Sequence, residues 1–457
     1  MRDLDALLLG ARAISARLLE AIDGGKNILV LGHLDADGQV ASALISREIE
    51  RRGGRFVLRV VSEMDDELLE ELAREDYDFY VICDLGAGAS DKLRDGLGDR
   101  FVVIDHHQIP EREVGDPYVL NPWCFGYDGG RDACSSTMAY YLTKEMDGRA
   151  TGLAWEAVVG ALADRQDEEG RALASLNRMV VEDAVKEGSL RVGRGLLLPG
   201  MASRPIHKSL SLLMDPYLPG LSGDEGSCLS FLNSIGLKLK EGERWRTLSE
   251  LSEGEEKLLL NSLTPYVRGD LSRLIGEVYE LVREEEGSPL RDAREFSTLL
   301  NACGRMGRQD LSFSVLFGDR SKRLREAERV MLEYRMKLAS YMEEVLRGDR
   351  VRDLGPFRFV DGSGLVEWDM LGPLASMLGS VREFEGKPVV ASSSPKGGYV
   401  KLSARATRGS GPVNLGSIMK KVAEGLGGWG GGHKEAAGAK VREEELERFI
   451  EMLRAEF

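Results

Sequence analysis

Long hydrophobic runs are missing: no apolar stretch in the 457 residues approaches the roughly 20 that span a bilayer. The beginning, Met1-Arg-Asp-Leu-Asp-Ala-Leu-Leu-Leu-Gly10, has acids where a signal peptide has bases, and no small-residue cleavage site. The chain therefore reads as cytoplasmic, with no membrane partner. Cysteine is scarce and odd in number (Cys83, Cys124, Cys134, Cys228 and Cys303), never as Cys-x-x-Cys. A disulfide framework and a zinc ribbon are both excluded on that pattern; Cys83, inside an apolar run, reads as a small core residue. Positive charge is in deficit, with a net charge of −15, which weighs against indiscriminate binding to phosphate backbones. A local basic groove remains compatible with it, since bound cations would offset part of the negative count. Internal repeats and low-complexity tails are absent. What is present is ordinary for a folded chain of two or three domains: 42% hydrophobic and 30% charged residues.

The stretch Asn27-Ile-Leu-Val-Leu-Gly-His-Leu-Asp-Ala-Asp-Gly38 organises the rest. Ile28 to Leu31 form the short apolar run of a strand buried on both faces. Gly32 ends it, and His33, Asp35 and Asp37 follow on alternate positions. In extended backbone such positions point the same way, so the three converge on one spot and ask for a cation. An amphipathic helix over 3–23 precedes this stretch, and a helix over Val40–Arg52 follows it. Three further strands are expected: Phe56–Val61, Phe79–Cys83 ending in Asp84, and Phe101–Ile104 ending in Asp105-His106-His107. The alternation predicts an α/β fold with a doubly wound, mostly parallel sheet, whose site lies beyond the C-terminal strand ends. Cys134-Ser-Ser-Thr137 reads as the cap of a helix over Met138–Glu145. A helix from Trp155 to Ala163 delivers Asp164.

The expected domains are a catalytic domain over 1–167, a mainly helical insert over 168–295 with turns such as Leu218–Gly223, and a segment over 296–319 closing the catalytic domain. A connecting helix over 320–349 and a smaller C-terminal α/β domain over 350–457 complete the chain.

Histidine is rare, yet four of the five residues (His33, His106, His107 and His433) fall in these motifs. Carboxylate and imidazole ligands without thiolate favour Mn²⁺ or Mg²⁺, with Zn²⁺ or Co²⁺ also able to bind. The candidates exceed the needs of one ion. Two divalent ions about 3.5–4 Å apart would fit a hydrolase acting on phosphate esters.

The motifs His33-x-Asp35-x-Asp37-Gly38, Asp84, Asp105-His106-His107 and Asp164 resemble those of the DHH phosphoesterase superfamily. Gly430-Gly-Gly-His433-x-x-Ala-Ala-Gly438 resembles the glycine-rich signature of its associated substrate-binding domain. Asn301-Ala-Cys-Gly-Arg305-Met306 resembles a segment of the RecJ branch, and the layout is most similar to archaeal RecJ-like nucleases. The resemblance implies that His33 and Asp35 hold one metal, that Asp37, His106 and Asp164 hold a second, and that Asp84 bridges them. Manganese is the ion it favours and magnesium the alternative. It also implies that His107 contacts the scissile phosphate while Asp105 orients the histidines. Arg405, Gly430, Gly431, Gly432 and His433 would grip substrate phosphates, with Arg305 and, more weakly, Arg308 as further contacts. Beside the resemblance, Lys401, Arg408, Lys420 and Lys421 either extend a basic groove or form solvated surface, and Trp429 either stacks on a base or packs. Bacterial RecJ proteins begin the first motif with Asp where His33 stands, a difference that bears on metal preference.

The leading expectation is a metal-dependent exonuclease for single-stranded DNA or RNA, in replication or repair. One alternative is a phosphodiesterase for short oligonucleotides or cyclic dinucleotides. The other is a replisome scaffold, since some RecJ relatives partner the GINS complex and the replicative helicase.

Overall fold

Apolar runs separated by amphipathic stretches fold into β/α units in the computed structural model of the chain, which describes residues 2–109, 114–168, 170–213, 218, 220–266 and 274–457. Helix α1 (Leu4–Asp23) buries Leu7, Ala11, Ile14, Leu18 and Ile22 at helical spacing, and Asp3 caps it by accepting from Ala6 N. There follow β1 (Asn27–His33), α2 (Ala36–Arg51), β2 (Arg55–Val61), α3 (Asp66–Arg74), β3 (Phe79–Cys83), α4 (Ser90–Leu97), β4 (Phe101–Ile104) and β5 (Val119–Leu120). Every pairing among these strands is parallel, in the order β2-β1-β3-β4-β5. This is the expected doubly wound sheet, and its strand order reverses between β1 and β3. Leu29, Leu31, Tyr80, Ile82, Phe101 and Val103 pack one face against Leu68, Leu72, Leu93 and Leu97 of α3 and α4. Each such side chain contributes about 1.5–3 kcal/mol by leaving water.

Helix α2 starts at Ala36, four residues before the expected Val40. Asp35 accepts from Gly38 N at 3.1 Å and Asn301 Oδ1 accepts from Ala36 N at 2.9 Å, so two donors of the first turn are satisfied. Asp37 therefore stands on a helix, and the alternation argument for one convergent trio fails beyond Asp35.

Next come α5 (Ser135–Met146), α6 (Ala154–Ala163), α7 (Ser175–Lys186), β6 (Leu190–Leu196), α8 (Ile206–Ser211), α9 (Glu225–Ser234), β7 (Lys240–Glu241), β8 (Arg244–Trp245), α10 (Glu253–Leu263) and β9 (Ile275–Leu281). The expected helical insert is thus helical in part: β6 and β9 pair antiparallel from Leu190↔Leu281 to Leu196↔Ile275. Pro219, in the turn noted at 218–223, lies outside the described residues. Then follow α11 (Ala293–Arg305), α12 (Gln309–Leu316) and α13 (Lys322–Leu346), whose stripe Leu324, Ala327, Val330, Met331, Tyr334, Leu338, Tyr341 and Met342 is buried.

The remaining elements are β10 (Val351–Asp353), β11 (Arg358–Val360), α14 (Leu371–Ser380), β12 (Val389–Ser392), β13 (Tyr399–Arg405), α15 (Leu415–Glu424), β14 (Trp429–Gly432), β15 (Ala436–Arg442) and α16 (Leu446–Glu456). They build a six-stranded mixed sheet, β10-β11-β12-β13-β15-β14, over a core of Phe357, Phe359, Leu402, Met419, Phe449 and Leu453. By its contacts the chain divides into two units. One comprises Met1–Arg204, Thr247–Glu250 and Ile275–Met331; the other comprises Pro205–Arg246, Leu251–Leu274 and Leu332–Phe457. Among the described residues no helix is long and apolar enough to cross a membrane.

Candidate metal centre

Three adjacent strands of the first unit end in the candidate ligands: β1 in His33, β3 just before Asp84, and β4 just before Asp105-His106-His107. Asp37 comes from the first turn of α2, and Asp164 caps the C-terminal end of α6. The side chains gather in three overlapping groups. Ligand atoms of His33, Asp35 and Asp84 lie within 4.8 Å of one another, as do those of Asp37, His106 and Asp164, and those of Asp84, His106 and His107. His33 Nδ1 is 2.8 Å from Asp35 and 3.1 Å from Asp84; His106 Nε2 is 3.3 Å from Asp84 and 3.0 Å from Asp164. Asp84 thus stands in two groups, and its φ of +67° is a backbone state that few residues other than glycine adopt. Such strain, of order 1–3 kcal/mol, persists where the surroundings dictate it. Here Asp84 N donates to Ile104 O at 2.8 Å, and Ser135 Oγ donates to its carboxylate at 2.9 Å.

Asp105 is held differently. Its carboxylate accepts from Ala87 N, His106 N and His107 N, and contacts His107 Nδ1 at 2.8 Å. The His107 side chain is 47% exposed, against 1% for Asp84 and 6% for His106, so it is the one histidine of this motif open to an incoming molecule.

Ser135 and Ser136, expected to cap their own helix, make no side-chain cap there and serve Asp37 instead. Ser135 N and Ser136 N donate to the two carboxylate oxygens of Asp37 at 2.7 and 2.9 Å, and Ser136 Oγ donates to it as well. The N-terminus of α5 therefore cradles an anion from another helix. The signal was there in two adjacent hydroxyl residues at a helix start, but Asp37 lies 98 and 99 residues away.

The segment expected from 301 to 306 reaches the centre too. Asn301 bonds Ala36 N, Gly304 packs against Leu34, and Gln39 Nε2 joins Leu34 O to Leu300 O at 2.6 and 3.2 Å. Arg305 acts electrostatically on Asp35. Arg308 is instead engaged by Asp310 and Glu326.

Burial works against the His33 cation, but Asp35 and Asp84 outweigh it and raise its pKa to about 10. Burial works against the Asp35 anion in turn, while His33 and Arg305 hold that carboxyl below the usual range. Burial, then the Asp84 charge, lifts Asp37 to about 6. Asp164 is pushed well up by burial, with His106 opposing and the other carboxylates adding. His106 is raised in spite of burial, chiefly by Asp164 and Asp84. One carboxylate oxygen of Asp164 is buried and accepts no hydrogen bond. Crowded anions, histidines drawn to hold protons, and a buried Asp164 oxygen that faces His106 at 3.0 Å without accepting a hydrogen bond fit a set of donors shaped for divalent cations.

This predicts a pH signature. His33 titrates near 10 folded and near 6.5 unfolded, so its stabilisation is complete below about 6.5 and fades as pH rises toward 10. Without metal, the melting temperature should fall across that window. Ligands must shed protons to bind a cation, so the rise in melting temperature on adding Mn²⁺ should be larger at pH 8 than at pH 6. A Mn²⁺ effect that shrinks with rising pH would contradict the assignment.

On the second unit, Arg405 is braced by Ser376 Oγ, Ser403 Oγ and Ala404 O at 2.8–3.0 Å. The glycine run is an edge strand paired with β15, not a loop. A Cβ at Gly430 would stand 2.6 Å from Met419 O, and one at Gly432 2.5 Å from Ala436 O, so packing demands both; at Gly431 the nearest atom is 3.9 Å away. His433 N donates to Ala436 O, and Trp429 is 55% exposed. Lys401 lies over the Trp368 ring, Lys420 pairs with Glu424 and Lys421 with Glu456. Arg408 is exposed.

The chain matches the DHH family N-terminal domain over residues 27–163, the DHH-CID domain over 198–270 and the DHHA1 domain over 364–457. An uncharacterized protein of Methanocaldococcus jannaschii is 26% identical over 93% of this chain and 91% of its own length. The single-stranded-DNA-specific exonuclease RecJ of Dickeya dadantii is 25% identical over 57% of this chain, which spans only 46% of that protein. Among solved structures, RecJ of Thermus thermophilus in complex with Mn²⁺ superposes with a TM-score of 0.60 at 18% identity, over 98% of this chain and 54% of that one. CDC45 of Entamoeba histolytica superposes with a TM-score of 0.64 at 12% identity, over 97% and 98%. Three DHH-superfamily domain matches in order along the chain, on a RecJ-like fold, show that the chain belongs to the DHH superfamily as a RecJ-like protein.

Proposed function

We propose that this DHH-family phosphoesterase is an exonuclease that removes nucleotides from single-stranded DNA or RNA, in the cytoplasm, during replication or repair. The observation that carries the reading is the overlap of the three ligand groups through Asp84 and His106. His33 and Asp35 would hold one divalent cation and Asp37, His106 and Asp164 the other, with Asp84 in reach of both groups. Mn²⁺ or Mg²⁺ bound there would supply Lewis acidity at the phosphate and lower the pKa of an attacking water. Asp105 fixes the turn that carries both histidines and orients the His107 ring. His107, the exposed member, contacts the scissile phosphate. Arg305 adds positive charge beside Asp35 for a neighbouring phosphate. On the second unit Arg405, Gly431 and His433 take the strand's backbone, with Gly430 and Gly432 shaping the edge strand that presents them. Trp429 is exposed enough to stack on a base. The naming of a relative as specific for single-stranded DNA supports a strand as substrate.

The test is digestion of 5′- and 3′-labelled single strands, as DNA and as RNA, with Mn²⁺ or Mg²⁺. Progressive shortening that stops on chelation is expected. Cleavage confined to the shortest oligomers would replace this reading with an oligonucleotide phosphodiesterase, and intact strands under every metal would end it. The full-length likeness to CDC45 favours a second role as a scaffold in a replisome, beside the GINS complex and the replicative helicase. Co-elution with a GINS subunit tests that role independently of hydrolysis.

A further inference from the structure

Behind His106 runs a ladder of buried amides that the catalytic reading does not use. His106 Nδ1 donates to Gly129 O at 2.6 Å, leaving Nε2 to face Asp84 and Asp164. The same carbonyl accepts from Gln166 Nε2 at 2.8 Å. Gln166 Oε1 accepts from Asn177 Nδ2 at 2.6 Å, and Asn177 Oδ1 accepts from Thr137 Oγ1 at 2.6 Å. Gln166 is 4% exposed and Asn177 1%. Each amide gives its N–H toward the histidine and accepts from behind, so turning either one over would set oxygen against oxygen. Gln166 also lies two residues after Asp164, across Arg165 at a φ of +57°, and its N donates to Ala161 O at 3.1 Å. One residue thus ties down, through its backbone, the turn carrying Asp164 and, through its side chain, the carbonyl aiming His106.

We propose that Gln166, backed by Asn177, is a positioning residue that sets the affinity of the Asp37–His106–Asp164 group for its cation and acts far less on the His33–Asp35–Asp84 group, which it reaches only through Asp84. Partners behind a metal-binding imidazole fix its tautomer and ring direction, and their loss typically costs about 10–100-fold in metal affinity. The asymmetry follows from placement, because the ladder's hydrogen bonds run from Thr137 through Asn177 and Gln166 to Gly129 and His106, on the side of Asp164.

The inference rests on the two-cation reading, and the experiment separates the two. Mn²⁺ is titrated into the metal-free full chain and the free ion is counted by its EPR signal. Wild type should show two binding steps, and His33→Ala should remove one, identifying the step that belongs to His106. Gln166→Leu should weaken that step by about 10–100-fold and leave the other in place. Gln166→Glu keeps acceptance from Asn177 but cannot donate to Gly129 as a carboxylate, so it should weaken the same step. Equal shifts in both steps, or no shift in a variant that melts like wild type without metal, would overturn the proposal. If Gln166→Leu does not fold, Thr137→Val tests the ladder one bond further out, with a smaller loss expected in the same step; no loss, or loss in both, overturns it. A wild-type chain with a single step would refute the two-cation reading instead.

Discussion

On the proposed role of Asp84 as a ligand common to both cations, the Asp84→Asn protein should fold and yet lose strand hydrolysis by about 10³-fold or more, since several kcal/mol of metal stabilisation would be forfeited. Asparagine is the informative replacement. It tolerates the left-handed backbone that Asp84 adopts, and it still offers an oxygen to Ser135 Oγ. It also removes a carboxylate from a cluster in which burial and neighbouring anions already raise the pKa values of Asp37 and Asp164. The metal-free variant should therefore melt at or above the wild-type temperature, and Mn²⁺ should no longer raise it. Loss of activity with an unchanged Mn²⁺ response would mean that Asp84 acts on the substrate alone. Wild-type hydrolysis would remove Asp84, and with it the shared-ligand reading, from the mechanism. A scaffold role would survive this substitution, so a protein that keeps its partners while losing hydrolysis would show both roles in one chain.

The parts of this centre that could be read from the sequence are those whose signal is local. A buried parallel strand writes itself as a short apolar run, and its end is where the chain turns toward the ligand face; Leu31-Gly-His33, Cys83-Asp84 and Ile104-Asp105 each show this within a few residues. The same local reading misplaced the start of α2, because the group satisfying Ala36 N is Asn301, 265 residues on. It misassigned Ser135 and Ser136 for the same reason. A hydroxyl at a helix start caps its own turn by default, and only the folded chain brings Asp37 to the free N–H groups. Strands β14 and β15 carried little signal: Trp429-Gly-Gly-Gly432 and Ala436-Ala-Gly-Ala439 are built of small residues, without the β-branched alternation that marks a strand. The glycine at 430 answers instead to the approach of α15, whose backbone leaves no room for a side chain there.

Gly304→Ala should disable the enzyme without altering any ligand. An added Cβ would come 1.8 Å from Leu34 O and 2.5 Å from Gln39 Nε2, and the first of these is backbone that cannot swing aside. Leu34 sits between His33 and Asp35, so the clash is relieved by moving α11 outward or by pushing the turn that carries both residues. The first course pulls Asn301 from Ala36 N, which loosens the start of α2 and with it Asp37. The second separates His33 from Asp35, now 2.8 Å apart. Overpacking of this kind costs about 1–3 kcal/mol of stability. A displacement of about 1 Å at a reacting centre costs on the order of 10²-fold in rate. Hydrolysis should therefore fall about a hundredfold while the chain remains folded, and Mn²⁺ should bind more weakly at the step that His33→Ala abolishes. A fall in melting temperature with activity and Mn²⁺ binding intact would show that the 301–306 segment supports the sheet without shaping the centre. The outcome decides whether this RecJ-like segment is part of the catalytic apparatus or of its scaffold, and the close approach of Gly304 to the Leu34 backbone, which leaves no room for a Cβ, argues for the apparatus.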